Sequence, residues 1–294
     1  MASNRRVSEI LVESGAYKDL DVPVILTSGL IGIYYINTEK VLRDGGEWER
    51  VIKQSPGDSI PVIWHAIRRM QAEPTFGELI DILATECKNN EPKAVSGGER
   101  RDWLFSGPVA HRLGIPHLSL FKDGNKSQLI LETPLPNNTS VVHVSDLLTA
   151  GSSAYDPRYD PPRGWIPQIR SLGLRVSDLH VVVTRYQGGE EALRSAGVDA
   201  HPLVGINKEF LTEHSRYPQR ALDYLEHGAL DWGCGYIVNK GIDVFVDAFS
   251  PEKTAKDARA KKFLQVYRTA LMMGRGEELA EKVREKYNID INNI

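Results

Sequence analysis

Five consecutive small residues, Thr149, Ala150, Gly151, Ser152 and Ser153, directly follow an apolar, β-branched run at 141–148. A turn of that composition at the carboxyl end of a strand leaves backbone N–H groups free to surround an anion. The hydroxyls of Thr149, Ser152 and Ser153 add donors, and Gly151 lets the backbone come close to a ligand. Three residues before the turn, Asp146 is placed to receive the hydroxyls of a ribose whose phosphate sits in the turn. One element would then hold both ends of a ribose phosphate. A plain strand-to-helix turn uses the same small residues, and the loop taken alone does not separate the two readings.

The elements that must position this loop alternate along the chain. Phe76, Leu79, Ile80, Leu83 and Cys87 fall on one helical face within 76–87, and 108–113 reads as a helix stopped by Gly114. Residues 117–121 form a short apolar strand, and 141–148 carries few charges, as a strand buried on both faces of a parallel sheet does. A helix at 165–172, a buried strand at 180–184, a helix at 189–196 capped by Gly197 and a weaker strand at 198–204 follow. The predicted fold class is therefore α/β, a parallel β-sheet flanked by helices. Composition shifts near 205, after which 220–227, 257–273 and 277–287 read as amphipathic helices, with Leu264, Tyr267 and Leu271 on one face. The expected division is an α/β domain at 1–205, including an N-terminal hood segment, and a mainly helical C-terminal extension at 206–294.

Bulk properties narrow the partners. A chain of 294 residues, 41% hydrophobic, buries a sizeable core, and a net charge of −3 supplies no basic field for sequence-independent nucleic-acid binding. Cys87 and Cys234 lie far apart, which suggests neither a disulfide framework nor a zinc site and fits a reducing cytoplasm. No stretch approaches the roughly 20 apolar residues of a membrane helix, so no membrane partner is expected. Eight histidines without metal-ligand spacing predict no metal held by protein side chains.

Val141-Val-His-Val-Ser-Asp-Leu-Leu-Thr-Ala-Gly-Ser-Ser153 resembles the phosphoribosyl-pyrophosphate signature of type I phosphoribosyltransferases, in which hydrophobic residues lead to two acids and a Thr-rich loop. Three further segments are similar to the orotate phosphoribosyltransferases: Thr27-Ser-Gly-Leu-Ile-Gly-Ile-Tyr-Tyr-Ile-Asn37, Ser96-Gly-Gly-Glu-Arg-Arg-Asp-Trp-Leu-Phe-Ser-Gly-Pro-Val-Ala110 with Leu113-Gly-Ile-Pro116, and Val183-Thr-Arg-Tyr-Gln-Gly-Gly189. The four blocks stand in the family's order. Matched order is stronger evidence than any one motif.

The resemblance implies roles by position. Thr149, Ala150, Gly151, Ser152 and Ser153 would hold a 5′-phosphate, and Asp146 a ribose hydroxyl. Thr149 and Arg185 would contact the base, the Arg185 guanidinium offering a planar fork to a carboxylate such as that of orotate. Arg101, with Arg100 beside it, would face pyrophosphate, Lys122 and Lys126 would be further cations, and Tyr34 and Tyr35 would wall the base site. The implied substrates are phosphoribosyl pyrophosphate and a nucleobase, with Mg²⁺ carried by the pyrophosphate, and a homodimer is the implied assembly. The implied reaction moves ribose 5-phosphate to a pyrimidine-like base, orotate, and releases pyrophosphate.

Departures keep two alternatives open. Ser145 stands where the family has the first acid, the loop at 121–128 lacks the family's histidine, and Thr27 replaces a lysine. The alternatives are a non-catalytic regulatory protein that binds a nucleotide or phosphoribosyl pyrophosphate, and a phosphoribosyltransferase for a different base. A proline-rich insertion at 155–164 follows the phosphate loop, with Asp156, Arg158, Asp160 and Arg163 in reach of a ligand or simply on a surface excursion.

Overall fold

In chain order, a computed structural model of the protein describes residues 2–26, 28–122, 127–130, 135–256 and 258–291. Helix α1 (Ala2–Glu13) precedes strands β1 (Tyr17–Ile25) and β2 (Ile31–Ile36), and a 3₁₀ turn (Thr38–Leu42) leads to α2 (Glu47–Gln54), α3 (Ile60–Ala72) and α4 (Pro74–Lys88). Then come β3 (Ala94–Gly98), α5 (Trp103–Leu113), β4 (His117–Leu120), β5 (Ser127–Ile130), β6 (Ser140–Leu148), α6 (Trp165–Ser171), β7 (Arg175–Thr184), α7 (Gly189–Ser195) and β8 (Asp199–Gly205). Helices α8 (Lys208–His214), α9 (Pro218–Lys240), α10 (Pro251–Lys256), α11 (Arg259–Val266), α12 (Arg268–Ala270) and α13 (Gly276–Tyr287) complete it. The chain divides into two compact units, Met1–Ala16 with Asn37–Asn207, and Tyr17–Ile36 with Lys208–Ile294.

The first unit is the α/β fold read from the sequence. Its sheet runs β5-β4-β3-β6-β7-β8, with β4–β5 antiparallel and every other pairing parallel. Strand β6 is central, between β3 and β7, and its nearly continuous burial matches its lack of charge. Beneath it Trp165, Ile166 and Ile169 of α6 pack with Leu148, Val181 and Leu193. From β3 the chain passes to β4 on one side, and from β6 it passes to β7 and β8 on the other. The order therefore reverses between β3 and β6, and the crevice outside their carboxyl ends is where an open α/β sheet takes a ligand.

Helix α5 shows where local signals fell short. Its stop is as expected: Gly114 adopts φ 67° and ends the helix. Its start lies at Trp103, so Pro108 sits inside the helix and does not open it. Trp103, Leu104, Phe105 and Val109 are all buried, and that burial outweighs the one backbone bond a proline forfeits. Strand β3, a five-residue run ending in two glycines, overlaps the start of the block at 96–110, where the sequence predicted no strand.

The second unit joins a hairpin to helices. Strands β1 and β2 pair antiparallel, and Ile25 and Ile31 pack with Phe245, Phe249, Phe263 and Tyr267 from the C-terminal residues. Tyr267 accepts the Ile31 N–H at 3.0 Å, and Tyr224 donates to the Ile31 carbonyl at 2.9 Å. The expected helical region 220–227 is the first part of α9, which continues past a break at Gly228 (φ 73°). The expected 257–273 helix is broken into α11, α12 and a π-helical turn (Leu271–Arg275). The chain leaves the first unit for the second after Asn207. The 17–36 hairpin, expected with the first domain, is instead grouped with the C-terminal helices, because its apolar side chains and both hydrogen-bonding groups of Ile31 are satisfied there.

Candidate functional site

The carboxyl ends of β3 and β6 carry most of the residues singled out in the sequence. Asp146, two residues before the end of β6, is 8% exposed, and its Oδ2 accepts the Thr38 hydroxyl at 2.7 Å. Arg101, in the turn between β3 and α5, brings Nη1 to 3.7 Å from the same oxygen, with its side chain 44% exposed. Asp146 is thus held by one neutral and one cationic donor while staying at the rim of the crevice.

Residues 149–153 follow at once. Gly151 adopts φ 77°, a left-handed value that glycine reaches without strain, and its carbonyl accepts the N–H groups of Ala154 and Tyr155 at 2.9 and 2.8 Å. Those bonds curl the loop into a turn. Among the described residues, the backbone N–H groups of Thr149, Ala150, Gly151, Ser152 and Ser153 find no acceptor. Ala150, Ser152 and Ser153 are exposed. A run of N–H groups unused by the described residues, on a tight turn at the end of a central strand, is a geometry that can receive an anion.

The cradle is braced by the turn after β7. A Cβ placed on Gly189 would lie 2.5 Å from the Thr149 carbonyl oxygen, and one on Gly151 would lie 3.0 Å from Gly189 Cα, so the two turns touch backbone to backbone. Arg185 begins that second turn, and its N–H donates to the Leu148 carbonyl at 3.0 Å. Its side chain is half-buried. Tyr186 follows with φ 52° and 54% exposure.

The structure adds an acid that the sequence did not single out. Asp102 occupies the N-cap position of α5, where an aspartate ordinarily accepts N–H groups of its own helix, yet its carboxylate makes no cap bond. Its Oδ1 instead accepts the Ser145 hydroxyl at 3.0 Å and the Asp146 N–H at 2.9 Å, and its Oδ2 accepts the Gly98 N–H at 3.2 Å. Burial pushes this carboxyl up to about 8, and the negative charge of Asp146 adds to the rise, while the bonds from Asp146 N–H and Ser145 oppose it. Thr38 was missed for the same reason as Asp102: each touches β6 from far away in sequence. Asp102 did carry one legible signal, an acid directly before an apolar helix, but that signal reads as a cap.

Behind these groups lies a buried polar layer. His143 Nδ1 pairs with Ser96 at 3.0 Å, His117 lies between Ser106 (2.8 Å) and Ser119 (3.2 Å), and burial holds both imidazoles neutral, down to about 3. Nε2 of His143 is 3.9 Å from Asp102 Oδ2 and has no hydrogen-bond partner among the described residues.

Other expected residues fall elsewhere. Arg100 is exposed, 4.0 Å from Glu99, and the Lys122 N–H donates to Glu99 at 3.1 Å. Lys126 and Thr27 lie outside the described residues. Tyr34, expected to wall the base site, belongs to the second unit and is a buried ring there, 5.9 Å from Tyr17 and 6.0 Å from Tyr224. Tyr35, 45% exposed, lines a cavity of that same unit with Val244, Lys253 and Arg259. The insertion closes on itself: Asp156 pairs with Arg158 at 2.7 Å and bridges to the backbone of Arg163, whose guanidinium stacks 4.1 Å above Tyr159.

No family model matches the chain. Curated relatives do match: the adenine phosphoribosyltransferase of Pectobacterium atrosepticum is 26% identical over 172 residues, covering 52% of this chain and 89% of that protein. That of Pasteurella multocida is 26% identical over 152 residues, covering 46% and 80%. This chain resembles the type I phosphoribosyltransferases. Among solved structures, the orotate phosphoribosyltransferase from Aeropyrum pernix aligns with a TM-score of 0.49 at 21% identity, covering 70% of this chain and 98% of that one. The adenine phosphoribosyltransferase from Thermoanaerobacter pseudethanolicus aligns with a TM-score of 0.40 at 20% identity, covering 59% and 89%. Among the described residues no helix is long and apolar enough to cross a membrane.

Proposed function

We propose that this protein transfers the 5-phosphoribosyl group of phosphoribosyl pyrophosphate to a ring nitrogen of a nucleobase, releasing pyrophosphate. The observation that carries the reading is the pairing of the N–H cradle at 149–153 with Asp146 at the β3–β6 reversal. The cradle would take the 5′-phosphate, and Asp146 the ribose hydroxyls. In such a transfer the ribose becomes oxocarbenium-like while negative charge grows on the departing pyrophosphate. Arg101, exposed at the rim, and Lys122, at the end of β4, are the described cations placed to meet that charge. One preorganised donor of this kind contributes about 3 kcal/mol. Mg²⁺ would arrive on the pyrophosphate oxygens as part of the substrate. Among the described residues no group of three His, Cys, Asp or Glu offers it a cage of its own.

For the acceptor, the half-buried Arg185 beside the cradle supports a base that bears a carboxylate, orotate. The second reading is adenine, favoured by the names of the curated relatives. Pyrophosphate release is measured with phosphoribosyl pyrophosphate, Mg²⁺ and each base in turn. Release with orotate, lost in Arg185→Ala, upholds the first acceptor, and release with adenine alone replaces it. Binding of phosphoribosyl pyrophosphate without release with any base overturns transfer in favour of a regulatory binder.

A further inference from the structure

Asp102 is the group that the proposed reaction leaves without a task. It is 7% exposed, it comes from a different segment than β6, and it turns away from the helix it begins in order to grip two consecutive residues of that strand. Both grips act on the stretch that aims Asp146. The Asp146 N–H fixes the backbone from which that carboxylate projects, and the Ser145 hydroxyl locks the adjacent residue. A carboxyl that merely satisfied the N-terminus of α5 would make neither contact.

The charges around it make this arrangement sensitive to one proton. From β6, Asp102 faces the carboxylate of Asp146 and the neutral imidazole of His143, and within its own turn Arg101 is spent on Asp146 at 3.7 Å. The amino end of α5 favours an anion there, but only by about 0.3–1 kcal/mol at an ordinary site. Two carboxylates facing one poorly solvated site cannot both ionise cheaply, and at Asp102 burial first and the charge of Asp146 second favour the protonated form. Asp146 has Thr38 and Arg101 as its donors.

We propose that Asp102 is the positioning acid of the ribose site: by gripping the Ser145 hydroxyl and the Asp146 N–H it fixes the backbone from which the Asp146 carboxylate meets the ribose hydroxyls. The inference rests on Asp146 as the ribose ligand in the reading above, but it does not require turnover. Ionised Asp102 would repel Asp146 and displace it from the position in which Thr38 and Arg101 hold it.

Affinity of the full chain for ribose 5-phosphate, measured by calorimetry from about pH 6.5 to about pH 9.5, tests it. The phosphate itself is fully ionised over the upper part of this range. Above about pH 8 the wild-type affinity should fall by up to roughly tenfold per pH unit, the limit for loss of one linked proton. Asp102→Asn keeps a carbonyl acceptor toward Ser145 and Asp146 but cannot ionise. It should bind roughly three- to tenfold more weakly near neutral pH and lose the alkaline fall altogether. Ser145→Ala removes a bond that favours the ionised form, so its fall should move to higher pH. Thermal unfolding of each variant near neutral pH checks that it is folded.

A wild-type profile that stays flat, an Asp102→Asn profile that falls in parallel with wild type, or an unmoved fall in Ser145→Ala overturns the inference. Its failure is separable from failure of the transfer reading. Ribose phosphate binding with the expected pH profile but no pyrophosphate release leaves Asp102 in place and sinks turnover. Release with a flat profile does the reverse, and absence of ribose phosphate binding sinks both.

Discussion

Thr38 donates its hydroxyl to Asp146 Oδ2 at 2.7 Å, tying a fully buried residue of the 3₁₀ turn to an acid 108 positions away. Replacing it with valine keeps the shape and leaves a buried carboxylate oxygen short of a donor. Thr38→Val should lower stability by about 1–3 kcal/mol in urea unfolding and weaken ribose 5-phosphate binding, whereas Thr38→Ser should recover most of both. Equal losses in the two variants would show that the methyl group, not the hydroxyl, is what matters.

Two glycines make the cradle possible by different means. Gly151→Ala places a side chain on φ 77° and against Gly189 Cα, and Gly189→Ala drives a methyl into the Thr149 carbonyl. Each should cost about 1 kcal/mol or more in stability. Phosphate binding should fall at least roughly tenfold because the N–H groups are re-aimed, about 1.4 kcal/mol of binding energy. The check is a titration with inorganic phosphate, which reads the cradle without the ribose.

Buried histidines set the acid limb of stability. His117 and His143 are held down to about 3 and His180 to about 4, in each case by burial first, with His201 adding to the effect at His180 and Asp178 opposing it. All three are neutral in the folded chain and become protonated on unfolding below about pH 6.5. The unfolded state then binds more protons, so stability should fall as pH drops from about 6.5 toward 4. His180→Asn should flatten that slope in urea midpoints measured across the range. Asp102 acts at the other end: its folded-state value is raised, so its contribution is full below the unfolded carboxylate value and is lost as pH rises through about 8.

In the second unit, the Tyr267 hydroxyl accepts from the Ile31 N–H and donates to the Ala229 carbonyl, each at 3.0 Å, with the ring fully buried. Tyr267→Phe removes the hydroxyl that both bonds share, leaves the Ile31 N–H and the Ala229 carbonyl without it, and should cost about 1–3 kcal/mol. Hydrogen exchange at the Ile31 amide should speed up with it. Unchanged protection there would mean that the hairpin is held by Ile25 and Ile31 packing alone.

Much of the first unit was legible because it rests on local patterns. A charge-poor β-branched run gave β6, a glycine after an apolar helix gave the end of α5, and small hydroxylated residues after a strand gave the cradle at 149–153. These signals need only near neighbours: side-chain periodicity, backbone freedom and turn chemistry. Asp146 and Arg101 could be singled out by type and place, and packing brings them within 3.7 Å of each other.

Tertiary structure decided the rest. Sheet order put β3 beside β6, and that adjacency turned an apparent helix cap, Asp102, into the partner of Ser145 and Asp146, 43 and 44 residues away. It also drew Tyr34 into a core and the 17–36 hairpin to the C-terminal helices, through contacts about 190 to 240 residues apart in sequence. A sequence records which side chains exist and how the backbone bends near them. Which distant carboxylates come to face one another is settled only by packing, because their interaction depends on separation in space and on the water excluded between them.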